Sequence, residues 1–95
     1  MSFTQAAFEQ LLDSQIGISF DGGSIDTKVV EVSPMTKPPE VERDCFSVLL
    51  HGPGDQVLEQ GTYTLSCGES VGDHELFIVP LGPKGEQFEY ELVFT

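Results

Sequence analysis

The sequence predicts a mainly β protein with one N-terminal helix, in which five or six strands form an antiparallel meander. This meander would form a small barrel or a two-layer sandwich, with the helix covering one end or one face. Two observations support the prediction: apolar residues follow helical spacing near the N-terminus, and from Ile18 onward they alternate with a period of two. Clusters of glycine, proline and aspartate separate the alternating runs. The 95 residues form one domain, residues 1–95.

The first element is a helix predicted over residues 4–16. Thr4 is a favourable N-cap residue, and Phe3 and Phe8 have the spacing of a hydrophobic staple. Gly17 offers a stop for the helix. One helix face is apolar and comprises Ala7, Phe8, Leu11 and Leu12. A helix of this length is stable only when docked on an apolar surface, so we expect it to pack on the sheet.

Six strands are predicted from the alternating runs, at residues 18–20, 25–32, 45–50, 62–67, 74–81 and 87–94. In the second run, Ile25, Thr27 and Val29 share one face, whereas Val30 and Val32 lie on the other. A β-bulge between the two groups would explain this change of face.

Prolines and apolar runs set three further expectations. The segment 33–43 contains three prolines within six residues, which predicts a long loop because proline is excluded from central strands. The run 74–81 is apolar on both faces, so we expect both faces to be covered, one of them by the helix. Pro80 is expected to end this strand.

The charge balance excludes some partners. Sixteen acidic residues against four basic ones give a formal net charge of -12, whereas nucleic acids and anionic membranes attract basic surfaces. No stretch approaches the ~20 apolar residues of a membrane span, and no secretory signal begins the sequence. These features predict a cytoplasmic protein. The acidity either maintains solubility or steers a basic protein partner.

The segment HGPGDQ, residues 51–56, raises the question of a phosphate-binding loop. Such a loop needs the pattern G-x-x-x-x-G-K-[ST] and a following helix. Here Asp55 lies in the segment, no lysine or arginine occurs between Arg43 and Lys84, and a strand follows. The segment is therefore predicted to turn the chain. Positive φ is predicted at Gly52, and also at Gly61 beyond the segment.

Histidines and cysteines offer two other candidate sites. A metal site could combine His51, His74, Asp73 and Cys45, but no paired ligand spacing supports it. A nucleophile pair could combine Cys67 with His74, but Cys67 is predicted on the core face, where a thiol is unreactive. If strands 45–50 and 62–67 are neighbours, the two thiols lie on opposite faces, which predicts two free cysteines. Cys45 is then predicted to be the more reactive, unless the helix covers it.

The carboxylates give no catalytic pattern. The segment DGGSID, residues 21–26, lacks the ligand spacing of a calcium loop. Glu89 and Glu91 alternate outward on the last strand and are predicted to form a solvated face. The sequence therefore predicts a protein that is not an enzyme, with no catalytic, cofactor-binding or metal-binding residue and no cofactor.

Four segments, taken in order, resemble a family of small bacterial proteins described as domain of unknown function 6916. They are FEQLLDSQIGISF, FSVLLHGPGDQVLEQGTYTL, ELFIVPLGP and FEYELVF. The family pattern contains L-x-G-P, Q-G-T-Y, F-L-V-P and Y-E-A-V-F, and the proline-rich segment is the unmatched part. The family commonly has arginine where His51 stands, so no role of a basic residue carries over. The resemblance implies no catalytic residues, and it suggests an association with phage-tail-like proteins.

The leading functional hypothesis is a structural or assembly protein that binds another protein through a sheet edge or an acidic face. A phage-tail-like or fibre protein is one such partner. The alternative is a small-ligand-binding β-barrel whose cavity is lined by aromatic residues. These are Phe20, Phe46, Tyr63, Phe77, Phe88, Tyr90 and Phe94. The sequence defines neither the partner nor the oligomeric state.

Overall fold

The computed structural model describes residues 4–35, 40 and 45–94, with the side chains of residues 69 and 70 left out. Two short helices and six strands make up the described chain. They are α1 Gln5–Glu9, β1 Gln15–Phe20, β2 Gly23–Pro34, β3 Phe46–Pro53, β4 Gly61–Ser66, α2 Gly68–Val71, β5 Asp73–Lys84 and β6 Gln87–Phe94.

The strands form one closed antiparallel barrel in the order β1-β2-β3-β6-β5-β4. The predicted fold class is therefore confirmed, and the barrel is the form that the sheet takes. Strands β1 to β3 form one three-stranded meander, and β4 to β6 form a second. The connection 54–60 crosses from β3 to β4, which are not neighbours, because β3 pairs with β2 and β6.

Alternate residues of each strand point into the barrel and build the core. The fully buried strand residues are Ile16, Ile18, Val29, Phe46, Val48, Leu50, Leu65, Ile78 and Tyr90. Helix α1 closes one end, where the ring of Phe8 lies 5.7 Å from the ring of Phe46 and 5.1 Å from that of Phe94. At the other end Leu58 is buried, and its N–H donates to the Tyr90 hydroxyl over 2.9 Å.

The helix is shorter than predicted. Thr4 does cap it, since its hydroxyl oxygen accepts a hydrogen bond from the Ala7 N–H at 3.1 Å. The helix ends at Glu9, and turns lead to Asp13, whose φ is +67°. Residues from Gln15 onward join β1, because Ile16 and Ile18 are buried alternately, so Gly17 lies within a strand and does not stop a helix. Phe3, the other half of the predicted staple, lies outside the described residues.

The predicted bulge in β2 is confirmed, whereas Pro80 does not end β5. The register between β2 and β3 shifts between Val29 and Glu31, which lets Val32 pair with the inward-facing Val48. Strand β5 continues to Lys84 because it pairs with β6 up to that residue, whereas its pairing with β4 ends at Ile78. Beyond Ile78 one side of β5 has no neighbouring strand among the residues described, and a proline without an N–H is tolerated there.

The proline-rich segment begins within a strand. Strand β2 runs through Pro34, which pairs with Phe46 of β3. The Met35 N–H then donates to the Cys45 carbonyl at 2.9 Å. The remainder of the predicted loop, residues 36–39 and 41–44, lies outside the described residues.

Candidate functional site

The glycines of the HGPGDQ segment serve close packing. A Cβ on Gly52 would lie 3.1 Å from Thr27 Cγ2 and 3.4 Å from Tyr90 Cε2, inside the barrel. Gly52 and Gly61 do not have positive φ, so that prediction is wrong. Gly52 is needed because a side chain there would be pressed against two inward-pointing neighbours.

The turn itself begins at Gly54. A Cβ on Gly54 would collide with the backbone carbonyl oxygen of Glu86, so the β3–β4 connection passes directly over the β5–β6 turn. Asp55 follows and is exposed. The segment therefore turns the chain, and its carboxylate would repel a phosphate group.

His51 is held by a carboxylate on the neighbouring strand. Its Nε2 lies 2.9 Å from Glu89 Oε2, and Lys84 Nζ lies 4.0 Å from Glu89 Oε1. The Glu89 side chain is only 13% exposed, so the prediction of a solvated position is wrong for this residue. The error has a physical cause. Alternation predicts whether a residue faces inward or outward, but it does not predict which side chains on neighbouring strands cover that residue. We interpret the cluster as a cross-strand support on the outer surface.

His74 and the cysteines do not form a metal site or a nucleophile pair. His74 Nε2 lies 2.6 Å from the Val71 carbonyl oxygen, and since a carbonyl only accepts, this nitrogen carries the proton. Burial, with Asp73 nearby, raises the pKa of the Cys67 thiol to about 11, which leaves it almost entirely protonated at neutral pH. No group of three or more potential metal ligands occurs among the residues described.

Neither Cys45 nor Cys67 forms a disulfide, as predicted, but the expected position of Cys45 is wrong. Cys67 is fully buried and Cys45 is 8% exposed, so Cys45 does not point to solvent. Cys45 precedes β3, so the alternation of inward and outward residues in that strand does not apply to it. The two strands are also not neighbours, because β4 pairs with β1 and β5.

An apolar surface lies on the outside of β3, β5 and β6, and we call it the outer strip. Its apolar members are Leu49, Phe77, Val79 and Val93. Phe77 is 50% exposed and Val93 is 44% exposed. Exposed aromatic and aliphatic side chains that adjoin one another commonly mark an interaction site.

The expectation that β5 is covered on both faces is wrong, because the barrel has one interior and α1 closes an end.

Glu91 lies in the middle of the outer strip. Its two cross-strand neighbours are Leu49 and Val79, so its carboxylate stands between apolar side chains. Glu91 is partly buried and forms no ion pair with another described residue. Glu31 flanks the strip as the partner of Leu49 on β2. The strip therefore combines apolar side chains with negative charge.

A second surface feature is a groove where β1 and β4 meet, and we call it the seam groove. These strands pair through only three residues each, from Gly17 opposite Ser66 to Ser19 opposite Thr64. Beyond Ser19 the strands part and leave a groove of about 570 Å³. It is lined by Ser19, Phe20, Asp21, Thr62, Tyr63, Thr64 and Glu75. Hydroxyls, two aromatic rings and two carboxylates thus share one opening.

Sequence reasoning found the strands that build these surfaces but neither surface itself. Phe77 is part of a continuous apolar run, and only the barrel closure shows that it faces outward. The seam groove depends on where two strands 40 residues apart in the chain stop pairing. Alternation gives no signal for that point.

The sequence profile of a family described as "Domain of unknown function (DUF6916)" matches residues 3–94. This match covers the barrel and both helices. No curated protein and no solved structure matches the chain. No helix among the residues described is long and apolar enough to cross a membrane.

Proposed function

The chain belongs to the DUF6916 family, and we propose that it is a non-enzymatic protein-interaction module that binds a partner protein through the outer strip. The observation that carries this proposal is the position of Glu91, a partly buried carboxylate set between Leu49 and Val79. A partner with an apolar surface and one basic side chain would cover the apolar residues and neutralise this charge.

Exposure and charge both support a protein partner. Phe77, half exposed on the strip, offers the kind of aromatic anchor that is enriched at interfaces. The net charge of -12 would speed the approach of a basic surface and disfavour an acidic one. The same charge opposes the pairing of two copies of this chain through their strips, so the proposed occupant is a different protein.

The family resemblance suggests a class of partner, and the capture experiment below is designed to identify the partner. A tail-fibre-like protein is the candidate, in line with a structural or assembly role. We further propose that the complex forms in the cytoplasm, and the capture is therefore made from that fraction of the native host.

A small-ligand-binding barrel is the alternative function. The rings of Phe46 and Phe94 stack at 4.6 Å, and Phe88 lies 5.3 Å from Tyr90. These rings contact one another where a ligand would otherwise lie. Phe77, assigned to the cavity lining by the alternative, is on the outside. These observations favour the interaction module.

The test is capture of a partner by the tagged chain at its endogenous level, with identification by mass spectrometry. Phe77→Ser should lose the partner at least tenfold, because a hot-spot aromatic contributes about 2 kcal/mol or more. Val57→Ser is the matched control, since Val57 is similarly exposed at 49% but lies on the β3–β4 connection. It should retain the partner.

The stability of both variants should stay close to that of the parent, because each removes an exposed side chain. A protein that remains monomeric and retains no partner would overturn the proposal. Equal retention by the parent and Phe77→Ser would overturn the assignment of the surface.

A further inference from the structure

We propose that the seam groove is a second binding site, which takes an extended peptide segment bearing lysine or arginine and adds it as a strand beside β1 or β4. This inference is independent of the outer strip. It rests on open strand edges, on the lining of the groove and on its charge.

The open edges come from the parting of two strands. Phe20 remains paired with Gly23 of β2, and Tyr63 remains paired with Leu76 of β5, but they do not pair with each other. Backbone groups of an antiparallel strand point alternately to its two sides. Part of the N–H and C=O groups of residues 61–63 therefore point into the groove, where a peptide strand can bond to them.

Two other stretches of open edge carry features that hinder strand addition. The free side of β5 beyond Ile78 carries Pro80 and Pro83, which interrupt the row of donors. On β2, the Val29 backbone is already bonded: its N–H donates to the Ser14 carbonyl at 3.1 Å, and its C=O accepts from the Asp13 N–H at 2.8 Å. The edges at the seam groove contain neither proline nor lysine, so nothing in their sequence prevents strand addition.

The lining selects a cationic segment. Asp21 and Glu75 are the acidic residues of the groove, and neither forms an ion pair with another described residue. The two described lysines are engaged elsewhere, Lys28 with Asp13 and Lys84 with Glu89. A lysine or arginine side chain of the peptide would therefore meet carboxylates that no described lysine occupies.

The rings of Phe20 and Tyr63 are partly buried, pack against the core and line the groove. A Cβ on Gly23 would touch the Phe20 ring at 3.6 Å, and one on Gly61 would touch the Tyr63 ring at 3.7 Å. The Tyr63 hydroxyl donates to the Glu59 carbonyl at 2.8 Å, which restricts the position of the Tyr63 ring. The parts of these rings that line the groove offer an aromatic surface for the aliphatic part of a long basic side chain.

The probe is an acetylated and amidated eight-residue peptide that alternates lysine with valine, titrated against the full chain and followed by NMR. We expect saturable shifts of the amide signals of residues 19–21, 61–64 and 75. A peptide with glutamate in place of lysine should not bind. Two further versions of the lysine peptide are N-methylated at alternate residues, one at the odd and one at the even positions. One of the two should bind at least tenfold more weakly than the parent peptide, because methylation removes the backbone N–H donors that face the groove.

Two protein variants complete the test. Asp21→Asn combined with Glu75→Gln should weaken binding roughly two- to twentyfold, from the size of exposed charge pairs. Glu9→Gln removes one exposed negative charge from α1 and should leave binding unchanged. Equal binding of both N-methylated peptides and the parent peptide would overturn strand addition. The absence of binding at millimolar peptide, or shifts centred on the outer strip, would overturn the site itself and leave the proposal for the outer strip standing.

Discussion

Gly52 faces the barrel interior where both of its neighbours are fixed by hydrogen bonds. The buried Thr27 hydroxyl donates to the Ile16 carbonyl at 2.9 Å, and the Tyr90 hydroxyl accepts from the Leu58 N–H at 2.9 Å. Neither side chain can move away from a new methyl group without weakening a buried hydrogen bond. The requirement for glycine at this position is therefore one of space.

We expect Gly52→Ala to lower the free energy of unfolding by about 1 to 3 kcal/mol, the usual cost of overpacking a core. Gly61→Ala is the matched control, because its Cβ would meet the Tyr63 ring at an ordinary 3.7 Å. It should change stability by no more than about 1 kcal/mol. Urea unfolding measures both, and equal stabilities would show that the interior at Gly52 can relax.

The Cys67 thiol should make stability depend on pH in alkaline solution. Burial and Asp73 raise the pKa of Cys67 from 9.0 to about 11, so folding favours the protonated thiol. Its contribution is complete below the unfolded pKa and declines as the pH rises through the folded pKa, since the unfolded chain loses its proton first.

The expected loss is about 2 to 3 kcal/mol between roughly pH 9 and pH 11. The measurement is urea unfolding of the parent and of Cys67→Ala across that range. Other groups also titrate there, so the informative quantity is the difference between the two proteins. Two curves that stay parallel would contradict the prediction.

At the scale of elements, β5 changes its pairing partner half-way along its length. From Asp73 to Ile78 it is paired with β4, and from Ile78 to Lys84 it is paired with β6. Pro80 and Pro83 lie in the second half, opposite Tyr90 and Phe88. These prolines protect an edge that would otherwise present N–H groups to other chains.

Replacing Pro80 and Pro83 by threonine should keep the barrel folded but promote self-association. Sedimentation velocity at increasing concentration should show oligomers for the double variant and none for the parent. Adding Leu81→Lys on the same stretch should restore the monomer, because an edge lysine disfavours strand pairing. A double variant that sediments as the parent does would exclude edge protection as the role of these prolines.

Several elements could be predicted because their signals are local. The alternation from Phe88 to Phe94 matched β6, and the change of face after Val29 matched the bulge. The end of the helix was missed because the turn at Asp13 has no strong sequence signature, and the continuation of β5 was missed because the role of Pro80 depends on which strand lies beside it. Local patterns report the faces of a strand, whereas edges and surfaces arise from pairing between distant strands.

At the scale of the whole molecule, the barrel consists of two successive three-stranded halves joined by the connection 54–60. Within each half the strands are joined to their neighbours in sequence, whereas the β1–β4 and β3–β6 junctions unite distant parts of the chain. Both distant junctions depend on the same connection crossing one barrel end. The seam groove and the outer strip are therefore properties of the assembled halves.

This arrangement also has a consequence for the kinetics of folding. Each half can begin from hairpins with short loop closures, but a three-stranded sheet alone leaves the apolar side of its strands in water. Stability is gained only when the two long-range junctions close, and high contact order makes this step slow. The β1–β4 junction has only three residue pairs, so its closure contributes the least free energy. We therefore expect it to form last and to be the first part of the barrel to open in the native state.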